Sequence, residues 1–277
     1  MVNEFDVENP DKEELKKIYN DKNRYPWTYG QLEVYEDYCD RYRMHAIMQE
    51  VEKFGPSTIL DNGCGSALIS RSLAKKGYHV TGLDFSDALL NLVPKTDNLS
   101  LVVGDSDKLA FEDNSFDCVI CSEVLEHIKE NSSAIKEISR ILDKDGYAII
   151  TVPNWGCYDS LEGNFKFVTT ALNILNYFLK RISKKPIFEF GVNMHFHKMF
   201  PWQWKAVLVS NGLEVVRDRA VFITPYFPMI KYLERLIYRI PGLFALKTAV
   251  DDIISPIPPF KYLGLSHMFV CRKKPIS

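Results

Sequence analysis

Residues that could bind a cofactor cluster where a short apolar segment runs into a turn with two glycines. Residues 59–62 read Ile-Leu-Asp-Asn, and Gly63 and Gly65 follow, ahead of an amphipathic segment. Glycines at such a junction permit positive φ angles and remove side chains, so that a ligand can lie against bare backbone. About 20 residues later a second apolar segment ends in Asp84, placed to accept hydrogen bonds from ribose hydroxyls. This spacing predicts a site for an adenosine-containing cofactor.

The turn differs from the fingerprint of dinucleotide-binding proteins. That fingerprint is Gly-x-Gly-x-x-Gly, whereas the third glycine position is Leu68 in this chain. The substitution disfavours a nicotinamide-dependent oxidoreductase, and so does the carboxylate of Asp105 after the third predicted strand.

The elements that must position these residues alternate along the chain. Strands are predicted over 59–62, 79–83, 99–103, 116–121, 147–152, 213–220 and 266–271. Helices are predicted over 11–19, 31–54, 67–76, 87–92, 132–142 and 202–210. Polar residues follow the first four strands, at the edge where open α/β sheets bind ligands. The alternation predicts a mostly parallel sheet, and the last strand is expected to be an antiparallel partner of the sixth.

The order and spacing of these segments resemble the class I S-adenosylmethionine-dependent methyltransferases. The matching stretches are Leu60–Gly65, Val80–Ser86, Gly104-Asp105, Phe116–His127 and Ile141 through Pro153. The resemblance covers roughly residues 55–155 and is nearest to the branch of the quinone-biosynthesis O-methyltransferases. It implies a Rossmann-like methyltransferase fold: α/β, doubly wound, with a seven-stranded, mostly parallel sheet and helical insertions.

The resemblance also implies one domain and a set of cofactor contacts. Residues 1–277 form a single domain, with N-terminal helices in 1–54, the cofactor core in 55–155, and substrate or lid insertions in 156–200 and 222–262. The implied cofactor-binding residues are Asp61, Gly63, Gly65, Asp84, Asp105, Ser106, Ser122 and Glu123. Asp61 and the glycine backbone hold the methionine end, Asp84 the ribose, and Asp105 the adenine amino group, with Ser106 adjacent. Ser122 and Glu123 border the transferred methyl group.

Candidates for proton transfer and metal binding lie after the fourth strand and in the first insertion. An acceptor hydroxyl must lose its proton, and His127 or His195 could serve as the base. In some methyltransferases a Glu-x-x-Glu-His segment binds a divalent cation, which makes Glu123, Glu126 and His127 candidate ligands. A metal-free site is favoured over a metal site.

Charge and apolar patterning bear on the acceptor. Residues 1–154 carry 17 Lys and Arg against 28 Asp and Glu, whereas residues 155–277 carry 17 against 8. Apolar stripes at helical spacing occur in 168–182 and 229–240, each beside basic residues. We expect lid helices that select a hydrophobic acceptor, and peripheral contact with an anionic membrane is the further alternative. If the basic half and the acidic half only neutralise each other, no anionic partner is implied.

The start of the chain is acidic, no apolar run is long enough to span a bilayer, and Cys118 and Cys121 fall within a predicted buried strand. We therefore expect a cytoplasmic protein with reduced thiols, or one peripheral to the inner face of a membrane.

The expected function is S-adenosylmethionine-dependent methylation of a small or lipid-like molecule, most readily at oxygen. Two alternatives stay open. One is an RNA methyltransferase, suggested by the basic second half but lacking an evident RNA-binding module. The other is a protein that binds S-adenosylmethionine without catalysis.

Overall fold

The computed structural model describes residues 12–21, 38–155, 196–221 and 242–274. In chain order the helices are α1 Lys12–Asn20, α2 Tyr38–Phe54, α3 Leu68–Lys75, α4 Asp87–Leu90, α5 Asn131–Ile141, α6 Pro201–Ser210 and α7 Leu243–Ile254. The strands are β1 Thr58–Asn62, β2 His79–Asp84, β3 Leu99–Val103, β4 Phe116–Ser122, β5 Leu142–Pro153, β6 Leu213–Val221 and β7 Ser266–Lys273. Short 3-10 turns cover Leu125–His127 and Phe260–Tyr262.

The seven strands form one sheet in the order β3-β2-β1-β4-β5-β7-β6. Strands β1 to β5 pair in parallel, while β7 lies antiparallel between β5 and β6. The chain direction across the sheet reverses between β1 and β4, and such a switch point opens a crevice at the carboxyl ends of the strands. The predicted fold class and the antiparallel pairing of the last strand with the sixth are confirmed.

Two apolar clusters cover the two faces of the sheet because strand side chains alternate between faces. Trp204 of α6 and Ile138 of α5 belong to the cluster on one face, and Ile47 of α2 and Leu73 of α3 to the cluster on the other. Cys118 and Cys121, three residues apart on β4, point into opposite clusters and are free thiols. Burial raises the pKa of both thiols, which suits core residues rather than a redox pair.

Several boundaries differ from the prediction. Strand β5 begins at Leu142 rather than Tyr147, because Leu142 already pairs with Phe116 of β4. Helix α7 was not predicted. The predicted stripes in 168–182 and 229–240 lie outside the described residues. No helix in the described part of the chain is long and apolar enough to cross a membrane.

Candidate cofactor site

The turn after β1 is held against the end of β2. Gly63 has φ 80°, and a Cβ atom added to it would lie 2.4 Å from Cγ2 of Val124. The backbone N–H groups of Gly63 and Cys64 both donate to the carbonyl of Leu83, at 2.8 and 2.9 Å. Gly63 therefore makes room for the side chain of Val124, and its amide is already bonded within the protein. A direct contact between Gly63 and the cofactor stays a prediction.

Asp84 lies at the end of β2 and is almost buried. Its Oδ2 accepts a hydrogen bond from Gly65 N–H at 2.8 Å, and its Oδ1 accepts one from Ser86 N–H at 2.9 Å. Burial raises the pKa of this carboxyl, while the backbone donors act in the opposite direction. A carboxylate can accept about four hydrogen bonds, so Asp84 can accept from a ribose hydroxyl while it orders the glycine turn.

Asp61 is directed into the protein. Its Oδ2 accepts a hydrogen bond of 2.5 Å from Ser70 Oγ on α3. Burial raises the pKa of Asp61 to about 6, with a further contribution from the charge of Asp84 and an opposing one from the Ser70 hydrogen bonds. Asp61 thus links β1 to α3, in addition to the methionine-end role expected for it.

The polar residues after β3 have different partners: Asp105 and Asp107 bind a lysine of α1, and Ser106 binds an asparagine of β1. Asp105 Oδ2 accepts a hydrogen bond of 2.7 Å from Nζ of Lys12 on α1, and Asp107 accepts from the same ammonium group. Ser106 is nearly buried, and its Oγ donates to Asn62 Oδ1 at 2.8 Å, which ties β3 to the end of β1. Asp105 is therefore a half-exposed carboxylate beside a bound lysine.

At the end of β4, a residue with a positive φ angle meets a cation from helix α2. Glu123 has φ 56°, an uncommon value for a residue with a side chain, and its N–H donates to the Thr151 carbonyl at 2.9 Å. The Oγ of Ser122 lies 2.9 Å from Thr151 Oγ1. Arg43 of α2 brings its Nη1 within 3.8 Å of Glu123 Oε2. This edge of the sheet thus combines carboxylates with one guanidinium group.

Glu126 and His127 lie in the 3-10 turn after β4. The Glu126 side chain is 1% exposed, and neither carboxyl oxygen has a hydrogen-bond partner among the described residues. Burial and then the nearby charge of Glu123 raise its pKa well above the usual range, although Arg43 opposes this. His127 Nε2 lies 3.7 Å from Glu126 Oε1.

The structure leaves the predicted base and metal residues partly untested. His195 lies outside the described residues. Among the residues described, no group of three or more His, Cys, Asp or Glu side chains is arranged to hold a metal ion. Glu123, Glu126 and His127 lie within five consecutive residues, at one edge of the sheet.

The charges of the site suit the charges of S-adenosylmethionine. Beside burial, the charge of Asp84 raises the pKa of Asp61, and the charge of Glu123 raises the pKa of Glu126. The sulfonium and ammonium groups of the cofactor would relieve this repulsion, and Arg43 could bind its carboxylate. The described residues therefore fit this cofactor.

Two residues of the site were not predicted from sequence. Lys12 precedes Asp105 by 93 positions, and no local pattern connects them. Arg43 lies on a helix with no marked apolar stripe, so its facing direction could not be inferred.

Comparison with known proteins gives a consistent result. Residues 60–150 match the family described as a methyltransferase domain. The chain is 24% identical over 196 residues to the ubiquinone biosynthesis O-methyltransferase of Hydrogenovibrio crunogenus, covering 69% of this chain and 76% of that protein. It is 29% identical to the enzyme of the same name from Coxiella burnetii, covering 53% and 64%. It is 35% identical over 116 residues to the demethylmenaquinone methyltransferase of Staphylococcus epidermidis, covering 39% and 47%.

Solved structures support the fold. The cyclase SpnF aligns with a TM-score of 0.62 at 16% identity, covering 97% of this chain and 98% of SpnF. An S-adenosylmethionine-dependent methyltransferase from Mesorhizobium loti aligns with a TM-score of 0.53 at 14% identity, covering 84% and 98%. At these identities the similarity concerns the fold alone.

Proposed function

Because the chain belongs to the S-adenosylmethionine-dependent methyltransferases, we propose that it methylates a small, lipid-like acceptor at oxygen. The observation that carries this proposal is the sequence similarity to quinone-biosynthesis methyltransferases, which extends over 196 residues for one relative and 116 for another. Quinone precursors combine an aromatic hydroxyl with an apolar tail, and this chemistry defines the acceptor class proposed here.

The residues at the carboxyl edge have separate tasks in this proposal. When bound, S-adenosylmethionine supplies an activated methyl group on a sulfonium. Asp84 and Asp105 hold the adenosine portion, and Asp61 with the glycine turn holds the methionine end. Arg43 binds the cofactor's carboxylate, and Ser122 and Glu123 border the transferred methyl group. Holding the acceptor oxygen in line with the methyl carbon then provides most of the acceleration, and the protein needs no nucleophile of its own.

His127 is the proposed base among the described residues. It follows β4, close to Glu123, and its side chain is 21% exposed. A partly exposed imidazole can reach an acceptor hydroxyl and take its proton. His195 stays a second candidate on sequence grounds.

The acceptor class can be tested by comparing four acceptors in one assay. The purified chain is incubated with S-adenosylmethionine and a prenylated catechol, the same catechol without its tail, a polar amine, or RNA. We expect S-adenosylhomocysteine to form fastest with the prenylated catechol, and mass spectrometry to locate the new methyl group on oxygen. Transfer to RNA alone would support the nucleic-acid alternative, and slow turnover with every acceptor despite tight cofactor binding would support the non-catalytic one.

We also propose that the lipid-like acceptor is met at an anionic membrane. Support comes from helix α7, whose exposed apolar residues Leu243, Leu246, Val250 and Ile253 recur at helical spacing. Leu246 and Ile253 are 61% and 69% exposed. The charged side chains of α7 form ion pairs: Lys247 pairs with Asp251 of the same helix at 2.7 Å, and Asp252 pairs with Arg219 of β6 at 2.6 Å. The stripe begins at Leu243, four residues after Arg239, the last of three basic residues spaced at Lys231, Arg235 and Arg239. An apolar stripe close to basic residues suits a helix that lies in a membrane interface.

Vesicle flotation tests the membrane proposal. Leu246→Ser combined with Ile253→Ser should reduce binding to phosphatidylglycerol vesicles, whereas Val103→Ser, an exposed valine on β3, should not. Changing Lys231, Arg235 and Arg239 together to Gln should weaken binding further, since each basic residue near such a surface contributes about 1 kcal/mol. If the parent protein does not float with anionic vesicles even at low salt, the membrane proposal is wrong.

A further inference from the structure

Helix α1 lies along the carboxyl edge of the sheet. At its start, Nζ of Lys12 lies 2.7 Å from Asp105 Oδ2 and 2.6 Å from Asp107 Oδ2, both just after β3. One turn later, Nζ of Lys16 lies 3.2 Å from Oδ1 of Asp87, just after β2. The first half of α1 therefore contacts the residues that follow the two outer strands of the cofactor core.

The end of α1 reaches the strands nearer the middle of the sheet. Asn20 Oδ1 accepts a hydrogen bond of 2.5 Å from Ser86 Oγ. The ring of Tyr19 lies edge-on to Phe85, with centroids 5.1 Å apart, and 6.4 Å from the ring of His127. Phe85 follows β2 and His127 follows β4, and β1 lies between these strands. Tyr19 thus lies between a residue that follows β2 and a residue that follows β4, on either side of the strand from which the glycine turn leaves.

The dimensions agree with this path. Nine helical residues extend about 12 Å along the helix axis. Two strand spacings, from β3 to β1, amount to about 10 Å. A helix of this length crosses from the end of β3 to the end of β1, which is the span that an adenosine group bound to Asp105 and Asp84 would occupy.

We propose that α1 closes over the bound cofactor as a lid, with Tyr19 contacting the cofactor and Lys12 acting as the positioning residue that holds the helix in place. This inference rests on the cofactor site proposed above and adds residues that the methyltransferase-domain match, which begins at residue 60, does not cover.

The contacts of α1 suit a lid rather than a fixed wall. The Lys12 and Asp105 side chains are 61% and 46% exposed, and exposed ion pairs contribute little to stability. A nine-residue helix is also marginal in isolation, so α1 depends on docking for its structure. The contacts of α1 that the structure describes are polar pairs and edge-on ring contacts, and a bound cofactor beneath Tyr19 would favour the closed position.

Hydrogen exchange of the α1 amides tests whether the lid closes. S-adenosylhomocysteine should slow exchange in α1 by at least severalfold in the parent protein and less in Lys12→Gln. Lys17→Gln is the matched control, because Lys17 is an exposed lysine of the same helix and its substitution changes the net charge equally. Identical α1 exchange with and without S-adenosylhomocysteine, at a saturating concentration, would overturn the proposal.

Dissociation kinetics test the two side chains separately. Lys12→Gln should raise the dissociation rate of S-adenosylhomocysteine about two- to fivefold and reduce its dependence on salt, since the parent ion pairs are screened by salt. Lys12→Arg should restore the parent rate, and Lys17→Gln should leave it unchanged. Tyr19→Ala should weaken affinity about tenfold, while Tyr19→Phe, which keeps the ring, should retain most of it.

The outcomes distinguish the lid from the site beneath it. If S-adenosylhomocysteine does not bind the parent protein, the proposed cofactor site is wrong. If it binds in a manner sensitive to Asp84 while the Lys12 and Tyr19 variants match the parent in rate and affinity, the site stands and the lid proposal is wrong.

Discussion

The carboxylate of Asp84 and the backbone N–H of Gly65 are joined by a hydrogen bond of 2.8 Å, which fixes the end of β2 to the glycine turn after β1. The same residue pair connects the two sequence signals from which the cofactor was first inferred. Asp84 therefore orders the turn, and we propose that its remaining lone pairs bind the ribose. A substitution at this position should affect both.

Asp84→Asn should weaken the binding of S-adenosylhomocysteine strongly. The amide keeps the shape of the side chain but loses one acceptor and the negative charge, and hydrogen bonds to charged groups contribute about 1.5–3 kcal/mol. The dissociation constant measured by calorimetry should rise roughly 10- to 100-fold. Asp97→Asn, an exposed aspartate before β3 at the opposite edge of the sheet, is the control. Equal affinity in a folded Asp84→Asn variant would show that Asp84 does not bind the ribose.

Gly63→Ala should be far more destabilising than Gly77→Ala. Both glycines have positive φ angles, 80° and 97°, so both substitutions incur backbone strain of about 1–2 kcal/mol. At Gly77 nothing lies within 4 Å of the added Cβ, whereas at Gly63 it meets Cγ2 of Val124 at 2.4 Å. Overpacking adds about 1–3 kcal/mol at Gly63. Denaturant unfolding measures both values, and similar losses at the two sites would contradict the close approach of Val124.

Glu126→Gln should preserve the stability of the fold. Its raised pKa favours the neutral form, and neither oxygen accepts a hydrogen bond within the described residues, so an isosteric amide should change the unfolding free energy by less than about 1 kcal/mol. Glu137→Gln provides the contrast. The Arg140 hydrogen bonds lower the pKa of Glu137, which also accepts from Leu109 N–H, and its substitution should cost about 1–3 kcal/mol.

The same Glu126→Gln variant separates the two hypotheses for the segment after β4. Without a metal role, turnover should persist in this variant and in the presence of a chelator. If Glu126 binds a divalent ion, both treatments should abolish turnover, and elemental analysis should find the metal in the parent protein.

The stability of the protein should fall as the pH drops below about 6.5, in part because of His267. This imidazole is fully buried on β7, and its Nε2 lies 3.0 Å from Asp218 Oδ2, which also accepts from Lys261 at 2.8 Å. Burial lowers the pKa of His267, although Asp218 opposes this shift. The unfolded chain therefore binds a proton at a higher pH than the native state, and acid favours unfolding.

Asp218 adds a second acid-sensitive contribution. Burial raises the pKa of its carboxyl, but the hydrogen bonds from His267 and Lys261 outweigh burial and hold it at about 2. This contribution is complete above the ordinary pKa near 3.8 and is lost as the pH falls towards 2.

The role of His267 is tested by urea unfolding at pH 7 and pH 5, which should show a smaller pH dependence of stability in His267→Gln than in the parent. His79→Gln, at an exposed position, should behave as the parent; equal pH dependence in all three would refute the role of His267.

The parallel core could be predicted from sequence because its signals are local. Strands β1 to β4 are short apolar runs with polar residues at their ends, and β3 was predicted with the observed bounds. The glycine turn and Asp84 are close in sequence and in space. Such features arise from backbone geometry and burial within one βαβ unit, for which neighbouring residues carry the information.

The remainder depends on distant contacts. Lys12 reaches Asp105 across 93 positions, and Arg217 of β6 pairs with Glu50 of α2 across 167. Helix α7 was not predicted because a Pro-Gly pair, here Pro241-Gly242, is typical of a helix end, whereas Gly242 occupies the position just before the first residue of α7. Strand β5 was predicted too short because Asp143–Gly146 resembles a turn, yet the strand continues through it. In each case tertiary pairing overrode the local pattern.

The central claim is most directly tested by calorimetric titration of the purified protein with S-adenosylhomocysteine, with NADH titrated in parallel. The account predicts saturable binding of S-adenosylhomocysteine at one site per chain and no binding of NADH, because the third glycine of the dinucleotide fingerprint is replaced by Leu68. Binding of NADH without binding of S-adenosylhomocysteine would contradict the cofactor assignment and the proposed function that depends on it.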